Sequence, residues 1–214
     1  TKPSKQPGNP LLLASRLGPT RALVELAGRL ARPPAVLVSA SAIGYYGIHA
    51  DEPLDERSGP QAIFQSEICS RWEEVAVAAE SLGVRVVRLR LGVVLGRDGG
   101  ALPGLATPVR LGLGGVLGNG RQWMSWIHVG DVVRLIEFAL DNPAVQGPLN
   151  AVAPAPETQR AFQQALAKTL HRPLWLRVPA LALRLGLGER AQLLVDGQKV
   201  LPAAALAAGF EFRY

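Results

Sequence analysis

Apolar positions in this chain fall into short continuous runs separated by stretches of helical period. Residues 36–38 (Val-Leu-Val) form one such run, bounded upstream by Pro33-Pro34. A run of this kind predicts a strand buried on both faces, as found inside a parallel sheet. It passes abruptly into Ser39-Ala40-Ser41-Ala42-Ile43-Gly44-Tyr45-Tyr46-Gly47. Ligands of open α/β sheets bind beyond the carboxyl ends of the strands. Hydroxyls at such a strand end can meet a ligand, and glycines let the backbone turn there. The plainer reading is a strand followed by a Gly-rich turn, and the spacing admits both.

The flanking segments alternate between the two periods. Residues 1–10 are polar and Pro-rich without periodicity and read as a flexible arm or a cut end. Ser15 is placed to cap a helix carrying Leu23, Ala27 and Leu30 as its buried stripe, with Arg16 at its amino end. After a loop over 49–60, Phe64, Ile68, Trp72, Val75 and Ala79 share one helical face, Arg71, Glu74 and Glu80 face water, and Gly83 stops the helix. Residues 84–91 (VRVVRLRL) alternate as a strand whose arginines need partners if buried. Val93-Val94-Leu95 runs into a turn at 96–100, and a helix is expected over 101–111 with Pro103 and Pro108 near its start or kinking it. Residues 122–128 are aromatic and strand-like, followed by a helix with Val132, Val133, Ile136 and Leu140 as its stripe. Residues 147–153 predict a strand, Thr158 opens a helix with Phe162, Ala165, Leu166 and Leu170 inside, and 174–178 predict a strand leading into a Leu-rich helix. Phe210-Glu211-Phe212 closes the chain, and no internal repeat is visible.

Strand, helix, strand, helix implies a right-handed, mostly parallel α/β sheet with helices on both faces. The division expected is a flexible or truncated end over 1–14, a main domain over 15–153 and a small α+β lobe over 154–214. At 214 residues and 48% hydrophobic, the chain can build one sizeable core, dominated by aliphatic side chains because aromatics make up 6%. No apolar run approaches a membrane span. The single cysteine, Cys69, excludes an internal disulfide and a Cys-based zinc site, and a reducing cytoplasm fits. The net charge of +6 raises nucleic acid as a partner. Scattered arginines without a Lys/Arg run or interleaved aromatics argue against it, and a phosphate-bearing cofactor or substrate would suit the same surface.

Candidate chemistry is sparse. Glu52, Asp55 and Glu56 form a carboxylate cluster with only His49 nearby, which reads as a solvated loop more readily than a metal site. Gly112, Gly115 and Gly118 match the spacing of a dinucleotide turn, but that motif follows a first strand and opens a helix. Here a strand-like segment follows, so the glycines are read as shaping a mobile loop beside a pocket. His128 is an acid/base candidate or a packed structural residue, and Asp131 can stabilise the start of the next helix.

Several stretches in order resemble one family: residues 39–47, Arg90-Leu91-Gly92-Val93-Val94-Leu95-Gly96, Arg110-Leu111-Gly112-Leu113-Gly114-Gly115, Ser125-Trp126-Ile127-His128-Val129-Gly130-Asp131 and Gly197-Gln198-Lys199-Val200-Leu201-Pro202. The chain resembles the extended short-chain dehydrogenase/reductases. Within them it is similar to the epimerase family proteins, NAD(P)-dependent epimerase/dehydratase-like with a C-terminal domain of unknown function. The resemblance implies a Rossmann-like core binding NADP (or NAD), with Arg16, Ser39, Arg90 and Val94 as cofactor contacts. It implies a cleft for a small, sugar-like substrate faced by Arg110, Gln122, Trp123, Ser125 and Trp126. It admits a homodimer and gives no role to nucleic acid or membrane.

Two departures qualify these expectations. The family carries strands and a Gly-rich phosphate loop ahead of the position of Leu11, so the chain reads as a member cut at both ends. Without that half, cofactor affinity is expected to be very poor and the sheet edge to need a partner. The family's Tyr-x-x-x-Lys pair, which moves a proton and holds the ribose, is also missing, because none of Tyr45, Tyr46 and Tyr214 has Lys four residues on. Ser41 with Tyr45 or Tyr46 is the remaining acid candidate. The implied functions are an NAD(P)-dependent oxidoreductase or epimerase or, alternatively, a catalytically silent nucleotide sensor or protein-binding member linked to cell division.

Overall fold

The computed structural model describes residues 10–179 and 197–214. The Val-Leu-Val run is the start of β1 (Val36–Ala42), which pairs in parallel with β3 (Arg85–Leu91). On its other side β3 pairs in parallel with β8 (Gly147–Ala151), giving the order β1-β3-β8 with β1 at an edge. Period-two alternation along β3 sorts its side chains to two faces. Val84 and Val86 meet Ala76 and Ala79, from α2 (Phe64–Val77) and the 3-10 turn after it. Val87 and Leu89 meet Leu135 and Ala139 of α4 (Val129–Asp141), and Ala205 of α6 (Ala203–Ala207) with Phe210 completes that cluster. Helices therefore cover both faces of a parallel sheet, the Rossmann-like α/β arrangement expected.

The same alternation gives the strand's arginines their partners. Arg85 lies on the α4 face and donates to Ala139 O, Val145 O and Leu140 O, closing the carboxyl end of α4. Arg88 and Arg90 lie on the α2 face, against Glu73.

Small ribbons frame the carboxyl side of the sheet. β2 (Pro53–Leu54) pairs with β11 (Lys199–Val200), and β4 (Val93–Leu95) with β7 (Trp126–His128). β5 (Gly115–Leu117) pairs with β10 (Leu176–Val178). These pairs are parallel, whereas β6 (Trp123–Met124) and β9 (Glu157–Thr158) are antiparallel. Part of the segment read as a glycine loop, residues 112–120, is thus the strand β5. The Leu-rich helix expected after residue 178 lies largely outside the described residues. Among the described residues no helix is long and apolar enough to cross a membrane.

Four helices turn a different face inward than their apolar period predicts. In α1 (Pro10–Arg29) the helix begins before Ser15, whose hydroxyl donates to Leu12 O within the helix, so Ser15 is no cap and Arg16 is not at the amino end. Ala27 is buried, but Leu23 and Leu30 are half exposed, because β1 has no neighbour on that side among the described residues. In α2, Ile68 is buried together with Ser66, Cys69, Glu73 and Ala76, while Phe64, Trp72 and Val75 are half-buried. In α4 the buried row is Asp131, Leu135 and Ala139, and Val133 and Leu140 are exposed. The cause is Asp131, whose carboxylate accepts from the backbone N–H groups of Arg213 and Tyr214 and pairs with Arg134. In α5 (Gln159–Thr169) the buried row is Gln159, Gln163 and Ala167, with Phe162, Leu166 and Leu170 half-buried and Ala165 exposed. α3 (Leu102–Arg110) starts with Pro103 in its first turn and contains Pro108.

Candidate functional site

The carboxyl ends of β1 and β3 continue into two different environments, one buried and charged, the other an open cleft. The buried one centres on Arg90, which is 2% exposed. Its Nε and Nη2 donate to the two carboxylate oxygens of Glu73 at 2.8 and 2.9 Å. Its Nη1 donates to the Tyr46 hydroxyl at 3.0 Å, and that hydroxyl donates to Asn150 Oδ1 at 2.7 Å. Ser41 Oγ donates to Glu73 Oε1 at 2.8 Å. The Arg90 guanidinium also lies 3.5 Å from the centre of the Tyr45 ring. The fork of Arg suits such a bidentate carboxylate. Burial opposes its charge, yet Glu73 and Tyr46 hold it protonated and raise its pKa. Burial pushes the Tyr46 phenol up to about 12 against the pull of Arg90, and burial likewise pushes the Cys69 thiol up to about 11. Neither group ionises near neutral pH.

The cleft shares no lining residue with this cluster and has room of about 160 Å³. Ile43 and Val93, just past β1 and β3, form one wall with Ala101 and Leu105, and Leu117, Met124, Ser125 and Gly197 continue it. Its polar lining is amide-rich: Gln122, Gln159, Gln163 and Gln198. Backbones approach closely here. A Cβ at Gly197 would lie 2.1 Å from Trp123 O, and one at Gly92 2.5 Å from Ser125 O, so both positions demand glycine.

The residues expected at the site are dispersed between these environments. Gln122, Trp123 and Ser125 line the cleft. Ser125 Oγ donates to Gln198 O and accepts from Val200 N–H, which ties β11 to the cleft wall. Trp123 Nε1 donates to Asp51. Trp126 sits in β7 opposite Val93, and exposed Arg110 ends α3; neither is part of the lining. Ser41, Tyr45, Tyr46 and Arg90 come together around Glu73, away from the lining. Ser39 is buried in β1, Val94 is half-buried in β4, and Arg16 is exposed with its guanidinium over the Trp72 ring. His128 takes the structural part: its Nδ1 accepts from Gly130 N–H to cap α4, and its ring packs 3.8 Å from that of Tyr214. The carboxylates of the 49–60 loop disperse, Glu52 to His49, Asp55 to Arg57, and Glu56 to the backbone N–H groups of Asn150 and Ala204. Among the described residues no cluster could hold a metal ion.

Glu73, Asn150, Gln159 and Gln163 were not singled out from the sequence. The demand for a partner to the β3 arginines was the available signal for Glu73. Glutamines at 159 and 163, four apart in a helix, were the signal for the other pair.

Comparison with known proteins places this geometry in a family. The NAD dependent epimerase/dehydratase family model matches residues 9–152, and a domain of unknown function (DUF1731) matches 178–214. The chain belongs to the NAD dependent epimerase/dehydratase family. It is 48% identical over 181 residues to the Arabidopsis thaliana epimerase family protein SDR39U1 homolog, chloroplastic, covering 85% of this chain and 52% of that protein. It is 39% identical to Bacillus subtilis epimerase family protein YfhF over 95% of this chain and 67% of YfhF. Among solved structures, human epimerase family protein SDR39U1 (isoform 2) with NADPH superposes with a TM-score of 0.89 at 33% identity, covering 100% of this chain and 74% of that one. The chain thus spans about half the length of the Arabidopsis relative and two thirds of YfhF.

Proposed function

We propose that the protein binds a nicotinamide dinucleotide, NADP or NAD, at the carboxyl ends of β1 and β3 and acts as an NAD(P)-dependent oxidoreductase or epimerase on a small, sugar-like molecule held in the adjoining cleft. The observation that carries this reading is the position of Ile43 and Val93. Ile43 directly follows β1, Val93 follows β3 after Gly92, and both line the cleft, which is where open α/β sheets take ligands. The family and the NADPH-bound human relative support the same reading.

The residues present fit such a group. Exposed Ala40, with half-buried Ala42 and Gly44, leaves the end of β1 sterically open to a ring. Arg16 offers an exposed guanidinium for a phosphate or ribose. Arg90 is committed to Glu73, so its part is positioning: it holds the Tyr45 ring and, through Glu73, the Ser41 hydroxyl. A bound nicotinamide supplies or takes up a hydride. In this reading residues 15–153 are the dinucleotide side and residues 154–214, with α5, the substrate side.

The test is titration of NADPH and NADH into the intact protein, followed by nicotinamide fluorescence. Weak, saturable binding is expected, because the family's phosphate loop lies outside these 214 residues, and it should be about tenfold weaker still in Arg16→Ala, the size of one lost charge-assisted contact. Absence of binding at millimolar cofactor would sink the reading.

Binding without turnover is a second reading, favoured by one observation. None of the described residues lining the cleft is Asp, Glu, His, Lys, Arg, Cys or Tyr, so these residues offer no titrating group to move a proton. Incubation of the NADPH complex with a panel of small carbonyl compounds separates the two, since the enzyme consumes NADPH and the sensor does not.

A further inference from the structure

The face that α5 turns inward is the least expected feature of the molecule. Gln159 and Gln163 are both 6% exposed and both line the cleft. They stand four residues apart, so their side chains are neighbours on the helix surface. The amino end of α5 is fixed: Thr158 Oγ1 accepts from Ala161 N–H, and Gln159 N–H donates to Gln122 O. Gln159 Oε1 accepts from Leu117 N–H at 3.1 Å. That bond orients the amide, leaving Nε2 as its free end. Gln159 Nε2 and Gln163 Oε1 are shielded from solvent without a partner. A buried amide donor or acceptor left unpaired is destabilising, and such groups are rare in folded proteins. Phe162 and Leu166 on the same helix are only half-buried, so the inward row is amide where apolar side chains were at hand. A rule broken inside a cleft points to a ligand.

We propose that the cleft binds an uncharged molecule presenting a hydrogen-bond acceptor and a hydrogen-bond donor on neighbouring atoms, the acceptor taken by Gln159 Nε2 and the donor by Gln163 Oε1. Among the described residues the lining carries no charged side chain, so these residues offer no counter-charge to an ionised group, which would be desolvated against them. Leu105, Leu117 and Met124 provide apolar wall for a hydrocarbon part. A hydroxy-ketone carries this pair of groups on adjacent carbons, and the amide of a lactam carries it on carbon and nitrogen. The inference deepens the reading above by naming a substrate class. It rests on that reading for calling the ligand a substrate, not for the binding itself.

The test uses small probes and the intact protein. 2-Hydroxycyclohexanone and δ-valerolactam present both groups, cyclohexanone presents the acceptor alone, and cyclohexanecarboxylate is anionic. Binding is followed by ligand-observed NMR, and NADPH is titrated separately. The two-group probes are expected to bind about tenfold more tightly than cyclohexanone, the worth of one hydrogen bond made to a buried acceptor. The carboxylate is expected not to compete. Whichever of the hydroxy-ketone and the lactam binds more tightly identifies the source of the shared chemistry.

Gln163→Met should remove the tenfold preference and leave cyclohexanone and NADPH binding unchanged. It should also raise the Tm of the ligand-free protein, because an unpaired buried acceptor is replaced by an apolar side chain of similar length. Gln159→Glu keeps an acceptor for Leu117 N–H but lacks the amide donor, and should weaken every carbonyl probe.

Equal affinity for cyclohexanone and the two-group probes overturns the inference, as does a fall in Tm for Gln163→Met. Loss of NADPH affinity in Gln163→Met assigns the pair to the cofactor and overturns it too. If NADPH binds and no probe does, this inference fails while the cofactor reading stands. If the probes behave as expected and NADPH does not bind, the reverse holds.

Discussion

At the scale of single residues the molecule is organised by one ion pair. Arg90 and Glu73 are 2% and 4% exposed and joined by two hydrogen bonds. Removing one partner from such a pair strands the other charge, and about 3–5 kcal/mol is the usual cost. Glu73→Leu is therefore expected to lower the unfolding free energy by about that amount in urea titrations. The double variant Glu73→Leu, Arg90→Leu should recover part of the loss, giving a favourable coupling in a double-mutant cycle. Tyr46 adds a dependence on pH. Its phenol ionises at about 12 when folded, against an ordinary 10.0. The folded chain thus holds a proton that the unfolded chain releases. The associated stability is present in full below pH 10 and falls as pH rises to 12, by about 2–3 kcal/mol across the window. Tyr46→Phe should flatten that fall in urea titrations at pH 9–12. The sequence announced half of this cluster, since arginines alternating with Val and Leu in a strand must find buried acceptors. It did not announce which acceptor, because Glu73 lies on another element, 17 residues from Arg90, in a helix with other acids that do face water.

At the scale of elements, existence and order were legible while rotation was not. Strands β1, β3 and β8 and helices α2 to α5 occur where periodicity placed them. The inward face of α4 differs from its apolar stripe because a polar residue with specific partners outranks aliphatic ones. In α4, Asp131 is fully buried and holds the carboxyl-terminal segment through Arg213 and Tyr214 N–H. The helix turns to bring that carboxylate inward, and Val133 and Leu140 are carried out to solvent. Asp131→Ala removes the acceptor for both amides and should cost about 2–4 kcal/mol, the range for a broken buried network around a charged group. Val133→Ala, on the exposed side, should stay within about 0.5 kcal/mol. Thermal unfolding of the two variants checks the rotation directly, since the apolar stripe read from sequence predicts the opposite order.

At the scale of the molecule, the described residues form an asymmetric sheet. β8 is covered by α6 and by the Phe138, Phe210 and Phe212 cluster. β1 at the other end pairs only with β3 among the described residues. Beside that edge α1 presents Leu23 and Leu26, each 53% exposed, and Leu30 just past its end is 47% exposed. With Ala27, Pro34, Leu37, Ala79 and Val84 they line an apolar groove. An unpaired strand edge next to exposed aliphatic side chains favours association. Composition did not warn of this, because 48% apolar residues is ordinary for a buried core; topology decides how many of them are covered. The 214-residue chain is therefore expected to self-associate with concentration in sedimentation velocity. Leu23→Lys with Leu26→Lys should shift it toward monomer while changing stability by less than about 1 kcal/mol, as for exposed positions. Unchanged association in that variant would show that the edge and the groove are not where the copies meet, and would move attention to the exposed Val133 and Leu140 of α4.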